Sequence, residues 1–138
     1  MNEITKTYYN SGNLEAEFNC KDYKLDGMSK AYYESGNLEM EMSFKDNKLE
    51  GVSKEYYESG ALKTIWNYKD GKREGITSTY YESGVLEWKA NFKDSKLDGT
   101  ATKYSKIGRI EYIEIYKNGI LQDRENRMYR YLQTWKDN

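Results

Sequence analysis

The chain contains no histidine and one cysteine, Cys20. Without histidine it lacks the commonest general base, the usual partner of a serine or cysteine nucleophile, and the commonest zinc ligand. A single cysteine excludes an internal disulfide and any site built from several thiolates, so Cys20 reads as a small core residue. Long apolar runs are also missing. No window approaches the roughly 18 to 20 apolar residues of a membrane-spanning helix, and the first thirty residues hold no apolar run with a basic flank. An excess of charge of one sign is missing too. The 22 Lys and Arg nearly cancel the 23 Asp and Glu, which argues against the clustered basic face that nucleic acid requires. The expectation is a cytoplasmic protein if the chain is full length, and a secreted or surface protein if a leader has been removed.

What the chain has in quantity is tyrosine, fifteen of them in 138 residues. Their rings supply the buriable area that a shortage of aliphatics would otherwise deny, so a mean hydropathy of −1.07 is compatible with a folded chain. The length is that of one ordinary domain.

The tyrosines are periodic. Tyr32-Tyr33-Glu34-Ser35-Gly36-Asn37-Leu38 recurs as Tyr8 to Leu14, Tyr56 to Leu62 and Tyr80 to Leu86, with a faded copy from Tyr104 to Ile110, each 24 residues after the last. Between the copies lies a second phrase, Lys21 to Gly27, Lys45 to Gly51, Lys69 to Gly75 and Lys93 to Gly99, with a remnant at Lys117 to Leu121. A fixed period of this size means one small unit stacked on copies of itself, since a single unit cannot bury its own apolar side.

Each unit reads as two short strands and two tight turns. In the second unit Leu38, Met40, Met42 and Phe44 alternate with Glu39, Glu41, Ser43 and Lys45, the pattern of a half-buried strand. Trp66 takes the same place in the third unit and is expected at the centre of the core. A two-residue turn at Ser35-Gly36 would set Lys30 against Glu41 and Tyr33 against Leu38. Asp46-Asn47, Asp70-Gly71, Asp94-Ser95 and Asn118-Gly119 suit a second turn with positive φ, which would set Phe44 against Leu49 and Met42 against Gly51. The same register puts Trp66 over Gly75 and Ala90 beside Gly99.

These features predict an all-β fold, a single-layer antiparallel β-meander of about ten strands built from tandem 24-residue hairpin repeats, with a short C-terminal helical cap. Residues 1–122 hold five repeats, and residues 123–138 are the cap segment. Asp123 is the candidate helix cap, and Met128, Tyr131, Leu132 and Trp135 follow the spacing of one helical stripe. Arg124, Arg127 and Arg130 make partner docking the second reading of that segment.

At this point the residues resemble a family. The phrase Tyr-Tyr-x-Ser-Gly-x-Leu, followed by Tyr/Phe-Lys-Asp-Gly-Lys-Leu-Glu-Gly, is similar to the bacterial variant of the MORN repeat found in tandem arrays of YwqK-type antitoxins, and the likeness runs over about residues 3–122. The resemblance implies a protein that binds and neutralises a partner toxin. More broadly it implies scaffolds, adhesion modules and proteins that bind lipid headgroups.

Three classes of function follow. A protein-interaction module, an antitoxin or immunity protein among them, rests on aromatic and basic residues repeated along one sheet face: Tyr8, Tyr32, Tyr56, Tyr80, Lys30 and Lys54, flanked by Ile4, Met28, Val52 and Ile76. A surface, adhesion or lipid-headgroup scaffold is the alternative, with Lys6, Lys30 and Lys54 as membrane contacts. Glu15, Glu17, Glu39 and Glu41 cancel that basic signal on the same face. Catalysis is the third class. Glu34, Glu58 and Glu82 recur at turns as solvated repeat features, and no phosphate-cradling glycine loop is present. No residue is assigned a catalytic, cofactor-binding or metal role.

Overall fold

The structure, a computed structural model, describes residues 1–126. They form one 14-stranded antiparallel sheet. The strands are β1 (Asn2–Tyr8), β2 (Leu14–Lys21), β3 (Lys24–Leu25), β4 (Gly27–Tyr32), β5 (Leu38–Lys45), β6 (Lys48–Leu49), β7 (Gly51–Tyr56), β8 (Leu62–Lys69), β9 (Lys72–Arg73), β10 (Gly75–Tyr80), β11 (Leu86–Lys93), β12 (Lys96–Tyr104), β13 (Ile110–Lys117) and β14 (Ile120–Asn126). They pair in chain order, with the two-residue strands β3, β6 and β9 branching from β2, β5 and β8. This is the expected meander.

The first turn differs from the two-residue hairpin expected at Ser35-Gly36. The Gly36 N–H donates to the Tyr33 carbonyl at 2.8 Å, and the Tyr33 N–H to the Asn37 carbonyl at 2.9 Å. With Gly36 at φ +94°, this is a three-residue loop whose last residue is left-handed, a position glycine fills at no steric cost. The extra residue slips the register near the turn. Lys30 faces Glu41 as expected, but Tyr32, and not Tyr33, pairs with Leu38.

The second turn is the expected primed type. Asp46 and Asn47 take φ +47° and +67°, and Phe44 faces Leu49. Beyond Glu50 the register then jumps, so that Met40 faces Glu55 and Glu41 faces Lys54. Met42 therefore does not meet Gly51. The expected contacts of Trp66 with Gly75 and of Ala90 with Gly99 are likewise replaced, since Trp66 pairs with Ser53, and Ala90 with Thr77 and Ala101. Aromatic residues do lie over the strand glycines, but from the following strand: Gly27 faces Phe44, Gly51 faces Tyr68, Gly75 faces Phe92 and Gly99 faces Tyr116. The rings do not fill the glycines' side-chain space, since a Cβ at Gly51 or Gly75 would meet nothing within 4 Å and one at Gly27 or Gly99 would meet Asn19 or Asn91 at 3.6 Å; the glycines are required by their positive φ.

Backbone and carboxylate bonds tie each repeat to the next. The Glu50 carboxylate accepts from the Asp70 N–H at 2.7 Å, Glu74 from Asp94 at 3.1 Å, and Asp98 from Asn118 at 3.2 Å. Turn amides add Asn47 to the Leu25 carbonyl and Gly71 to the Leu49 carbonyl, each at 2.9 Å. The acid before Gly51, Gly75 and Gly99 is thus an acceptor for a turn amide of the next repeat.

Cross-strand partners share a face, and register places Ala16, Ser29, Ser53, Thr64, Thr77, Ala90 and Ala101 on one of them, all buried. The core is densest where Ala90, Phe92 and Ala101 meet Trp88, Leu97 and Tyr116. Trp88 packs edge-on to Phe92 with ring centroids 6.3 Å apart. Trp66 is half-buried; the apolar centre lies one repeat further on than expected.

The short C-terminal helical cap expected from Asp123 is absent from the described residues. No helix occurs among the described residues, and Asp123 lies inside β14. That strand continues the ladder on β13, where Arg124 faces Glu114. The Arg124 Nη2 lies 2.9 Å from Glu114 Oε1, and its guanidinium 4.3 Å from the Tyr112 ring centroid. A helix starting at Asp123 would forgo these bonds and leave β13 an open edge. Met128, Tyr131, Leu132 and Trp135 lie outside the described residues.

Candidate interaction surface

The face opposite the core carries the residues singled out from the sequence. In β4 it presents Met28, Lys30 and Tyr32, in β7 Val52, Lys54 and Tyr56, and in β10 Ile76, Ser78 and Tyr80, because these positions alternate with buried Ser29, Ser53 and Thr77. β1 repeats the pattern with Ile4, Lys6 and Tyr8. The structure thus brings Tyr8, Tyr32, Tyr56 and Tyr80 into one row, with Lys30 and Lys54 beside it.

Much of that row is bound into the stack. The Tyr32 hydroxyl donates to the Glu17 carboxylate and the Tyr56 hydroxyl to Glu41, both at 3.3 Å. Burial, followed by the facing glutamate, pushes both hydroxyls above the ordinary tyrosine value of 10.0. The carbonyls of Tyr32, Tyr56 and Tyr80 accept from Tyr9, Tyr33 and Tyr57 at 2.6 Å. Lys30 lies between Glu17 and Glu41, and Lys54 between Glu41 and Ile65. Lys6 Nζ is 3.2 Å from Glu17 Oε1. Tyr8, in the edge strand, is 58% exposed.

The aliphatic row is the open part of the face. Ile4 is 64% exposed, Met28 39%, and Val52 and Ile76 43% each. They take the same position in four successive repeats. Polar groups beside them are satisfied locally: the Asn67 side-chain amide donates to the Ile76 carbonyl at 2.7 Å, and Asn19 makes the equivalent bond to Met28. The row therefore alternates across the sheet with Asn19, Ser43 and Asn67, the cross-strand partners of Ile4, Met28 and Val52, and Asn19 and Asn67 each spend one amide N–H on a neighbouring carbonyl.

Towards β12 the face changes. A shallow groove of about 410 Å³ opens over β10 to β12, bounded by Ile76, Lys89, Asn91, Thr100, Thr102 and Tyr104. Sequence reasoning overlooked it. The signal was present as a break in the repeat, because the position held by Glu17 and Glu41 becomes Ile65 and then Lys89.

Among the described residues no group of three or more His, Cys, Asp or Glu side chains is placed to hold a metal ion, and no helix is long and apolar enough to cross a membrane.

No curated protein matches the chain. The matched family model is described as the MORN repeat variant, and each match begins in a short strand at the end of one unit and closes on the Lys-Asp turn of the next. Residues 25–46, 49–70 and 73–94 of this chain match it, as three tandem segments similar to the MORN repeat variant.

Proposed function

We propose that the chain is a non-catalytic protein-interaction module whose docking face is the one carrying Ile4, Met28, Val52 and Ile76, with Tyr8, Tyr32, Tyr56, Tyr80, Lys30 and Lys54 as its flank. The exposed aliphatic row carries the proposal. Four apolar side chains repeated at one strand position and left open to water, spaced by Asn19, Ser43 and Asn67 on the strands between them, give a face that mixes apolar, aromatic and polar groups as interface surfaces do. MORN repeats are in general protein- or lipid-interaction repeats. The face favours protein over membrane because its lysines alternate with Glu17 and Glu41, so no run of positive charge meets an anionic surface.

The finer reading is an antitoxin or immunity protein, which would act by covering the working surface of a toxin. It is supported by the resemblance of the repeat phrase to that family.

The test pairs capture with reconstitution. Val52→Glu together with Ile76→Glu changes only exposed side chains, so the melting temperature should stay within a few degrees. A partner retained by the unaltered chain should be lost by the double variant, then rebuilt from purified components and assayed for inhibition. Equal retention by both chains, or flotation of the unaltered chain with phosphatidylserine vesicles and with no protein, would refute the reading.

A further inference from the structure

In two repeats the sheet face supplies its own carboxylate to a tyrosine: Tyr32 to Glu17 and Tyr56 to Glu41, fifteen residues apart in each case. Fifteen residues before Tyr104 stands Lys89. The groove over β10 to β12 therefore keeps the tyrosine and replaces the carboxylate with an ammonium. Lys89 faces Ser78 on one side and Thr102 on the other, so its cross-strand neighbours are hydroxyls where Lys30 has glutamates. The nearest acid along the strand, Glu87, is held by Lys103 Nζ at 2.9 Å. The Tyr104 backbone is fixed as well, its carbonyl accepting from the Tyr81 hydroxyl at 2.7 Å.

From this we infer that the groove binds a carboxylate, presented as an acidic side chain of a protein partner, through Lys89, Thr102 and Tyr104. An external carboxylate would stand where Glu17 and Glu41 stand in the earlier repeats. It would accept from the Tyr104 and Thr102 hydroxyls, and the Lys89 ammonium would make the bond charge-assisted. Ile76 at the rim covers the methylenes of such a side chain and joins the groove to the aliphatic stripe. The inference rests on the interaction reading above, and it assigns that reading an acidic anchor beside the apolar row.

The experiment is an amide-resolved NMR titration of the full chain. The probes are N-acetyl-glutamate N-methylamide, its glutamine counterpart and inorganic phosphate. The glutamate compound should give saturable shifts at Lys89, Thr102 and Tyr104, with the glutamine compound about fivefold weaker for loss of the charge-assisted bond. Lys89→Glu should abolish those shifts, because it restores the internal carboxylate of the earlier repeats, whereas Lys48→Gln, on an exposed short strand, should leave them unchanged. Absence of shifts at Lys89, or equal shifts from glutamate and glutamine, overturns the site. Phosphate binding more tightly than glutamate overturns its assignment to a protein carboxylate in favour of a free anion. If the titration fails while capture dependent on Val52 and Ile76 stands, the groove falls and the interaction face does not. Lys89-dependent shifts without such capture support the groove and remove the wider face.

Discussion

The hydroxyl of Tyr33 donates to the backbone carbonyl of Tyr56, one repeat ahead, at 2.6 Å. The same bond joins Tyr9 to Tyr32, Tyr57 to Tyr80 and Tyr81 to Tyr104. The two tyrosines of each pair thus divide the work: the second bonds forward to the next repeat, while in Tyr32 and Tyr56 the first bonds back to a glutamate of the previous one. Tyr57→Phe should cost about 1 kcal/mol, the net worth of one such bond plus its stranded acceptor. Urea denaturation with an unchanged midpoint would reject the assignment.

Ser29 and Ser53 are buried at equivalent positions, and their Oγ atoms have no hydrogen-bond partner. The fifth repeat places Ala101 at the same point. Ser53→Ala should therefore stabilise the protein by about 1 kcal/mol, since a desolvated hydroxyl is replaced by a methyl the fold already accommodates. A lower midpoint in thermal or chemical unfolding would count against it.

Alkaline pH should unfold the array earlier than its lysine content suggests. Burial and Glu17 raise Tyr32, burial and Glu41 raise Tyr56, and the bonds to Glu114 and Glu55 raise Tyr116 and Lys63. A group raised in the folded state stabilises fully below its unfolded value, 10.0 for tyrosine and 10.5 for lysine, and that contribution is lost as pH climbs through the folded value. Melting temperature should hold to about pH 9 and fall above about pH 10. The fall should be shallower in a Tyr32→Phe, Tyr56→Phe double variant, and parallel slopes in circular dichroism melts would refute the linkage.

Phe92 is 7% exposed, under the Arg73 guanidinium at 5.3 Å and beside Trp88. Phe92→Ala should cost about 3 kcal/mol or more. Trp66→Ala, at a half-buried site, should cost less despite the larger ring. Guanidinium denaturation that reverses this order would move the centre of the core back to the third repeat.

Period and parity were legible in the sequence, and so was any pairing set by side-chain chemistry alone, as with Lys30 against Glu41 or Phe44 against Leu49. The slips at Leu38 and beyond Glu50 were not, because a bulge is a backbone event: Gly36 at φ +94° and Gly51 at φ +84° add a residue without disturbing alternation on either side. The helix start at Asp123 was misread for a different reason. Met128, Tyr131, Leu132 and Trp135 suggested a stripe, but Ile120–Asn126 lies 24 residues after Lys96–Thr102 and follows the strand of that register. The tyrosine row was placed on the correct face, while its hydroxyls depend on which glutamate lies across the strand. The Lys89 groove shows only as a departure from the repeat, and it becomes a site only once the departure is set beside Tyr104.

The tyrosine bonds all point the same way, from one unit to its successor, and the donor position in the fifth unit is Ser105. This gives the array a direction and a written end. Excision of residues 49–72 would bring Tyr33 to the carbonyl of what is now Tyr80 and keep the backbone register, while Glu41 would face Ser78 in place of Lys54 and Phe44 would face Arg73 in place of Leu49. Array length can therefore change in steps of 24 residues with the tyrosine bond carried over and only side-chain pairs to adjust, and the span of the docking face can be matched to a partner by counting units.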